Sequence, residues 1–351
     1  MTPATTAPES PALPCPADGV DEFLSRPSPE ATAVLAQTAG PVLVLGAGGK
    51  MGLHLSLMLQ RALASLGRPH ALTAVSRFTT LHDLTDFTRH GIATRAADLC
   101  DPAVLAALPE APTVFFLAGV KFGTASSPEL LRRINSELPA LVAERFRRAR
   151  IVAFSTGCVY PFVRPETGGA TEETPTAPVG EYAASCLARE VAFGAGAQAH
   201  GTRVALIRLN YSVEFRYGVL VDLAQKVLAG QPIDLTTGHV NVIWQRDALD
   251  HTIRALDLAG TPAVPVNITG ADVLSVRALA IRFGELCGRP VTFTGREADT
   301  AWLNNAARSH RRFGRPPTSV EDMQRWIVAW LLQGGATWGK PTAFEQRDGK
   351  F

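Results

Sequence analysis

The sequence predicts an α/β fold: a doubly wound parallel sheet, followed by a smaller α+β region toward the C-terminus. Three observations predict it. The apolar run Pro41-Val-Leu-Val-Leu leads straight into glycines at 46, 49 and 52; short β-type runs then recur with helical patterns between them; and beyond Asn210 that rhythm breaks. Strand–helix alternation implies a parallel sheet covered on both faces.

Taken in order, residues 1–19 are rich in Pro, Ala, Thr and Ser, a composition that buries too little apolar area to order itself, so they read as a disordered tail. Residues 20–39 suit one or two short lead-in helices. The portion 40–211 reads as dinucleotide-binding. Its first strand, Val42–Leu45, delivers the chain to a tight turn at Gly46; Gly49 lets the backbone approach a phosphate with no Cβ in the way; and Gly52 permits close helix–strand packing. Backbone N–H groups at Lys50, Met51 and Gly52, where the helix starts, then face the anion. The helix Lys50–Gly67 carries apolar residues at 51, 55, 58, 59, 62 and 66 and ends on a glycine suited to a C-cap. Further strands are expected at Ala71–Val75, Ile92–Arg95, Thr113–Leu117, Arg150–Phe154 and Thr202–Arg208. From 212 to 351 the chain reads mainly as substrate-binding, with helices over Gly218–Leu228, Asp247–Leu258, Ser275–Leu286 and Thr318–Leu332, and strands over Val240–Trp244 and Val264–Ile268.

Composition narrows the class. With 351 residues and 46% hydrophobic content the chain can bury a large core, and a formal net charge of +2 leaves no electrostatic footprint for nucleic acid or an anionic membrane. No apolar run reaches the 18 or so residues needed to span a bilayer, and the N-terminus lacks the order of a signal peptide. The five cysteines are odd in number, scattered and free of any Cys-x-x-Cys pair, and the eight histidines have no paired metal-ligand spacing. No metal is expected, a reducing compartment fits, and the cytoplasm is the expected location. His54 reads as an ordinary helix residue.

The second strand ends Ala74-Val-Ser-Arg-Phe78, where a fold specific for NAD places an acid on the ribose hydroxyls. Here stand Ser76 and Arg77, and an arginine suits a 2′-phosphate, so NADP is favoured, with NAD as the other possibility. Asp98-Leu99, just past the third strand, has the look of an adenine-edge contact.

Two later pieces carry a resemblance: Val114-Phe-Phe-Leu-Ala-Gly-Val-Lys121, and Val152-Ala-Phe-Ser-Thr-Gly-Cys-Val-Tyr160 followed by Gly180-Glu-Tyr-Ala-Ala-Ser-Cys-Leu-Ala-Arg-Glu190. Together they resemble the extended short-chain dehydrogenase/reductase family of NAD-dependent epimerases and dehydratases, and most of all its UDP-galactose 4-epimerase branch. The resemblance implies a Rossmann-type domain, a nicotinamide cofactor held also by Leu117, Ala118 and Gly119, a small-molecule substrate that is usually a sugar nucleotide, and a homodimer. By position, Thr156 matches the residue that hydrogen-bonds the reacting oxygen, and Tyr182 matches the catalytic tyrosine. Four residues on, where the family has lysine, stands Cys186.

That departure has a chemical consequence. A phenol near its free pKa of about 10 is ionised only to roughly one part in a thousand at pH 7, and a neutral thiol supplies no cation to change that. Oxidation, which needs a base, suffers first; reduction needs only a proton donor, which neutral Tyr182 can be. Lys121 either restores the missing charge or contacts substrate or solvent. Cys186 reads as a buried small residue or, less simply, a reactive thiolate. Asn210, Tyr211 and Arg216 are further substrate candidates, Arg216 also fitting a structural role. The expected function is an NAD(P)-dependent oxidoreductase or epimerase acting on a hydroxyl or carbonyl of a sugar, sugar nucleotide or sugar acid; the alternative is a catalytically impaired NADP-binding protein.

Overall fold

The computed structural model describes residues 11–79, 81–120, 128–340 and 342–349. Its centre is a seven-stranded parallel sheet. Strands β1 (Val42–Leu45), β2 (Leu72–Ser76), β3 (Ala93–Ala96), β4 (Thr113–Phe116), β5 (Arg150–Thr156) and β6 (Arg203–Leu209), with Val264–Ile268 beyond β6, lie in the order Val264–Ile268, β6, β5, β4, β1, β2, β3. The expected strands fall within two residues of these. The order reverses between β1 and β4, and a crevice at the C-terminal ends of such strands is where an open α/β sheet accommodates ligands.

Side-chain alternation explains the layers. Val42 and Val44 point into one apolar cluster, Leu43 and Leu45 into the other, so both faces of β1 are buried, as period-two geometry requires. Helices α1 (Val20–Leu24), α2 (Pro29–Ala36) and α3 (Gly52–Ser65) precede and follow β1. Helices α2 and α3 cover the first face; Ser28 caps α2 by accepting from the Ala31 N–H, with Pro29 in the first turn. The short helices α4 (Leu84–Thr88), α5 (Pro102–Ala106) and α6 (Pro128–Arg132) connect the strands, while α7 (Leu138–Arg145) and the 21-residue α8 (Gly180–His200) supply the second face through residues such as Val142 and Phe193.

A third core holds the substrate-side region together, built on Phe215, Val219–Leu223, Trp244, Phe283 and Ile327. Its boundary differs from the expected 211/212 division: Ile243–Ile268 returns to the main sheet, placing Ala248, Leu249 and Ile253 in the first-face core. The expected strand Val240–Trp244 is two short pieces. His239–Val240 pairs antiparallel with Leu274–Ser275, and Ile243–Trp244 parallel with Ser212–Val213.

Both termini add to the third core. Residues 11–19, expected to share the disordered tail, instead carry Leu13 and Cys15 against it, and α1 inserts Val20, Phe23 and Leu24. Composition missed this because two apolar side chains suffice once a groove exists to receive them. At the other end Phe344 is buried, Thr342 hydrogen-bonds Asp222, and Arg347 donates to the Thr300 carbonyl at 2.6 Å. Gly349 meets the start of α8, where a Cβ on Gly180 would fall 2.5 Å from the Gly349 carbonyl oxygen.

Candidate active site

The glycine turn forms because its residues permit two close approaches. Gly46 has φ +87°, and a Cβ there would sit 2.3 Å from the Ala118 nitrogen, so β1 and β4 converge only through glycine. A Cβ on Gly52 would lie 2.1 Å from the Ala47 carbonyl oxygen. Gly49 is different. It is exposed, and a Cβ there would meet only the Gly46 oxygen at 3.8 Å, so its bareness faces open space. Helix α3 begins beside it with no side-chain cap and no acid in its first turn, leaving N–H groups for an anion.

A cavity at these strand ends gathers Gly46, Gly49, Arg77, Asp98, Leu99, Leu117, Ala118 and Gly119, together with Ser76, Ala97 and Ile134. Arg77 is exposed at its edge, and Asp98 accepts from the Cys100 N–H at 3.0 Å. An open glycine turn, an uncapped helix start and a lip with an exposed guanidinium fit a phosphorylated dinucleotide.

Thr156 closes β5, buried, its Oγ1 accepting from the Cys158 N–H at 3.2 Å. Tyr182 lies in the first turn of α8, which packs over this strand end. Cys186 follows one turn later, 1% exposed, among Val159, Tyr160 and Ala170, with the Tyr182 ring against the same cluster. Although Tyr182 keeps part of its surface accessible, burial of its hydroxyl pushes the phenol well above its ordinary value, reinforced by Cys186 and Cys158 and opposed by Arg189. Burial likewise pushes the Cys186 thiol up. Both groups are neutral at pH 7, and the tyrosine holds a proton it can give.

Two buried polar networks brace α8. Glu190 takes the Arg208 guanidinium at 2.6 Å and the Ser155 hydroxyl at 2.6 Å, and Arg208 donates to the Tyr160 oxygen at 2.7 Å. Arg189 donates to the Phe154 carbonyl and to Asn135, whose amide also clamps both backbone groups of Val120 and donates to the Ser185 hydroxyl. Asn135 sits in the π-turn Arg133–Glu137, a widening common at functional sites. Sequence reasoning missed Arg189 and Asn135. The signal for Arg189 was its helical register with Tyr182; Asn135, 54 residues away, had none.

Other candidates lie elsewhere. Lys50 turns its ammonium onto the Tyr217 ring at 4.1 Å and the Ser212 carbonyl at 3.3 Å, leaving only its backbone at the turn with Met51. Asn210 is buried with its amide on the Trp302 carbonyl at 3.3 Å. Tyr211 has φ +39°, and its phenol is raised by burial and by nearby Cys158. Arg216 faces inward, paired with Asp21 at 3.0 Å and Glu214 at 3.1 Å and stacked on Trp338, the structural reading. His54, expected to be ordinary, is 1% exposed within that network, 2.9 Å from Asp21 and 2.7 Å from the Gln245 amide. Lys121 lies outside the described residues. A buried asparagine, Asn304, presses both amide atoms toward Gly157 without a partner among the described residues.

Sheet order, glycine turn and the Tyr182 helix define a dinucleotide-binding α/β protein of the extended short-chain dehydrogenase/reductase type. The model of the NAD dependent epimerase/dehydratase family matches residues 42–260, and the chain belongs to that family. Solved structures agree in fold. The UDP-glucose 4-epimerase of Thermus thermophilus, in complex with NAD, superposes with a TM-score of 0.67 at 20% identity, covering 82% of this chain and 97% of that one. The UDP-glucose 4-epimerase of Thermotoga maritima with UDP-glucose gives 0.68 at 16%, covering 84% and 99%. DesIV, the dTDP-glucose 4,6-dehydratase of Streptomyces venezuelae with NAD bound, gives 0.69 at 19%, covering 84% and 97%. No curated protein sequence matches the chain. No helix among the described residues is long and apolar enough to cross a membrane.

Proposed function

We propose that the protein is an NADP-preferring oxidoreductase that reduces a carbonyl of a sugar, sugar nucleotide or sugar acid, with Tyr182 as proton donor and Thr156 holding the reacting oxygen. One observation carries the reading: Tyr182 stands beside a buried neutral thiol, not a lysine, so its phenol keeps its proton at neutral pH and is present as a donor, not as a base. Related structures contain UDP-glucose or UDP-glucuronic acid, which supports the substrate class.

The glycine turn, with the backbone of Lys50, Met51 and Gly52, would hold the pyrophosphate; Arg77 would pair with a 2′-phosphate; Asp98-Leu99 would meet the adenine; and Leu117–Gly119 would line the nicotinamide half. When bound, the cofactor supplies reversible two-electron exchange with the substrate carbon. The chain's part is protonic: Thr156 and Tyr182 fix the carbonyl oxygen, and Tyr182 gives it a proton. We further propose a cytoplasmic homodimer.

The test offers purified protein NADPH and a panel of sugar aldehydes and ketones. Carbonyl-dependent NADPH oxidation that persists through neutral and mildly alkaline pH, because the raised phenol keeps its proton there, and that is lost in Tyr182→Phe is expected. Tight NADPH binding with no turnover on any carbonyl would favour the binding protein, a reading that the uncharged Tyr182–Cys186 pair also supports.

A further inference from the structure

Helix α8 brings a second ionisable side chain onto the stripe that carries Tyr182. Arg189 lies seven residues on, two turns along the same face. It is 5% exposed, and no carboxylate pairs with it among the described residues. The adjacent acid, Glu190, is committed to Arg208 and Ser155. Nη1 of Arg189 donates to the Phe154 carbonyl at 2.8 Å and Nη2 to Asn135 Oδ1 at 2.6 Å, while Nε has no acceptor there. A Cβ on Gly119 would fall 2.6 Å from Nη2, so the guanidinium lies directly against the strand end that lines the candidate cofactor cavity.

An un-neutralised buried guanidinium is costly, and an apolar side chain would pack beside the Phe116 ring without that cost. The charge therefore calls for a counterpart that arises during function. When Tyr182 gives its proton to a carbonyl oxygen, the O–H electron pair stays on the phenol oxygen and a negative charge forms within reach of this field.

We propose that Arg189, clamped by Asn135 against Gly119, is the positive charge of the active site, standing in for the lysine absent at position 186 by stabilising the phenolate of Tyr182. It acts through space as a positioning residue. The inference rests on the reading of Tyr182 as proton donor, and the direction in which Arg189 moves the Tyr182 and Cys186 equilibria agrees with it.

The experiment replaces the four tyrosines with fluorotyrosine, whose more acidic phenol titrates in an accessible range, and follows each by fluorine NMR in the full-length protein without substrate or cofactor. Tyr182→Phe assigns the resonance. Arg189→Met should raise the Tyr182 midpoint by about one pH unit or more, a tenfold loss of phenolate, while leaving the other three unmoved. Arg189→Lys should keep it near the wild-type value, and adding Cys186→Lys to Arg189→Met should bring it back. Should Arg189→Met not fold, Arg189→Gln, which keeps a donor for Asn135, replaces it. A folded neutral variant with an unmoved Tyr182 midpoint overturns the proposal. Because the titration needs no turnover, a moved midpoint in a protein inactive on every carbonyl would sink the reductase reading and leave this inference standing.

Discussion

At the scale of single residues, charge placement separates what a sequence displays from what it hides. Arg77 is legible because it follows β2 by one residue and stands exposed at the cavity edge. Its guanidinium should favour a 2′-phosphate over the bare ribose that an acid would select, so NADP(H) should bind more tightly than NAD(H). Arg77→Asp should reverse that order, read as dissociation constants from intrinsic fluorescence; equal constants for both cofactors in the wild type would remove the argument. Thr156 and Tyr182 were readable for a similar reason, each standing within a few residues of the motif that marks it. The half-buried cluster of Asp21, His54, Glu214 and Arg216 was not. Its members come from separate segments, with Arg216 195 residues from Asp21, and no local pattern announces such a meeting. Arg216 consequently presents as a substrate candidate in the sequence and as an inward-facing ion-pair partner in the fold.

Among elements, the β1–α3 turn makes the clearest divided prediction. Gly46 needs a left-handed backbone and would drive a Cβ into the Ala118 backbone, so Gly46→Ala should destabilise the protein itself, by several kcal/mol, a large part of a typical fold's margin. Gly49→Ala meets nothing closer than 3.8 Å and should leave stability within about 0.5 kcal/mol, yet weaken cofactor binding at least about tenfold by occupying the phosphate's approach. Urea unfolding and cofactor titration of both variants check this; Gly49→Ala that binds normally would mean the pyrophosphate lies elsewhere. Helix α8 carries a second expectation. Val191 on α8 is 65% exposed and Leu130 on α6 is 38% exposed, and we propose that these two helices pair two copies of the chain about a two-fold axis. Light scattering at tens of micromolar should report a dimer that Val191→Lys weakens, and a wild-type monomer would exclude this pairing. Strands β1, β4, β5 and β6 were legible because both faces are buried and their apolar runs are nearly continuous, whereas β3, exposed or half-buried throughout, was legible only from its place in the strand–helix alternation. Two-residue pairs such as His239–Val240 with Leu274–Ser275 were not, since so short a ladder leaves no period to read.

For the whole molecule, the parallel sheet was visible from alternation alone, whereas the junction between its parts was not, because Ile243–Ile268 leaves the main sheet's neighbourhood in sequence and returns to it in space. That returning segment also sets how the fold responds to acid. His251, on the helix Gln245–Arg254, is 2% exposed and packs 5.4 Å from the Phe313 ring, centroid to centroid; burial first, then the charges of Arg254 and His310, pushes it down to about 3. Burial lowers His82, His90 and His310 as well. A depressed imidazole is neutral in the fold while the unfolded chain takes up its proton below about pH 6.5, so its contribution is complete above that value and is lost as pH falls, for His251 down to about 3. Each such group can remove up to about 1.4 kcal/mol per pH unit. Asp222 and Asp247, whose carboxyls burial pushes up, work in the opposite sense, so the net slope alone identifies no single residue. A variant comparison does. Urea midpoints measured from about pH 7.5 to about pH 5 should fall for the wild type, and His251→Gln, which cannot take up that proton in either state, should fall less steeply over the same range. If both slopes coincide, His251 is protonated inside the fold and has a counter-charge that its surroundings, Arg254 and His310 above all, give no sign of supplying.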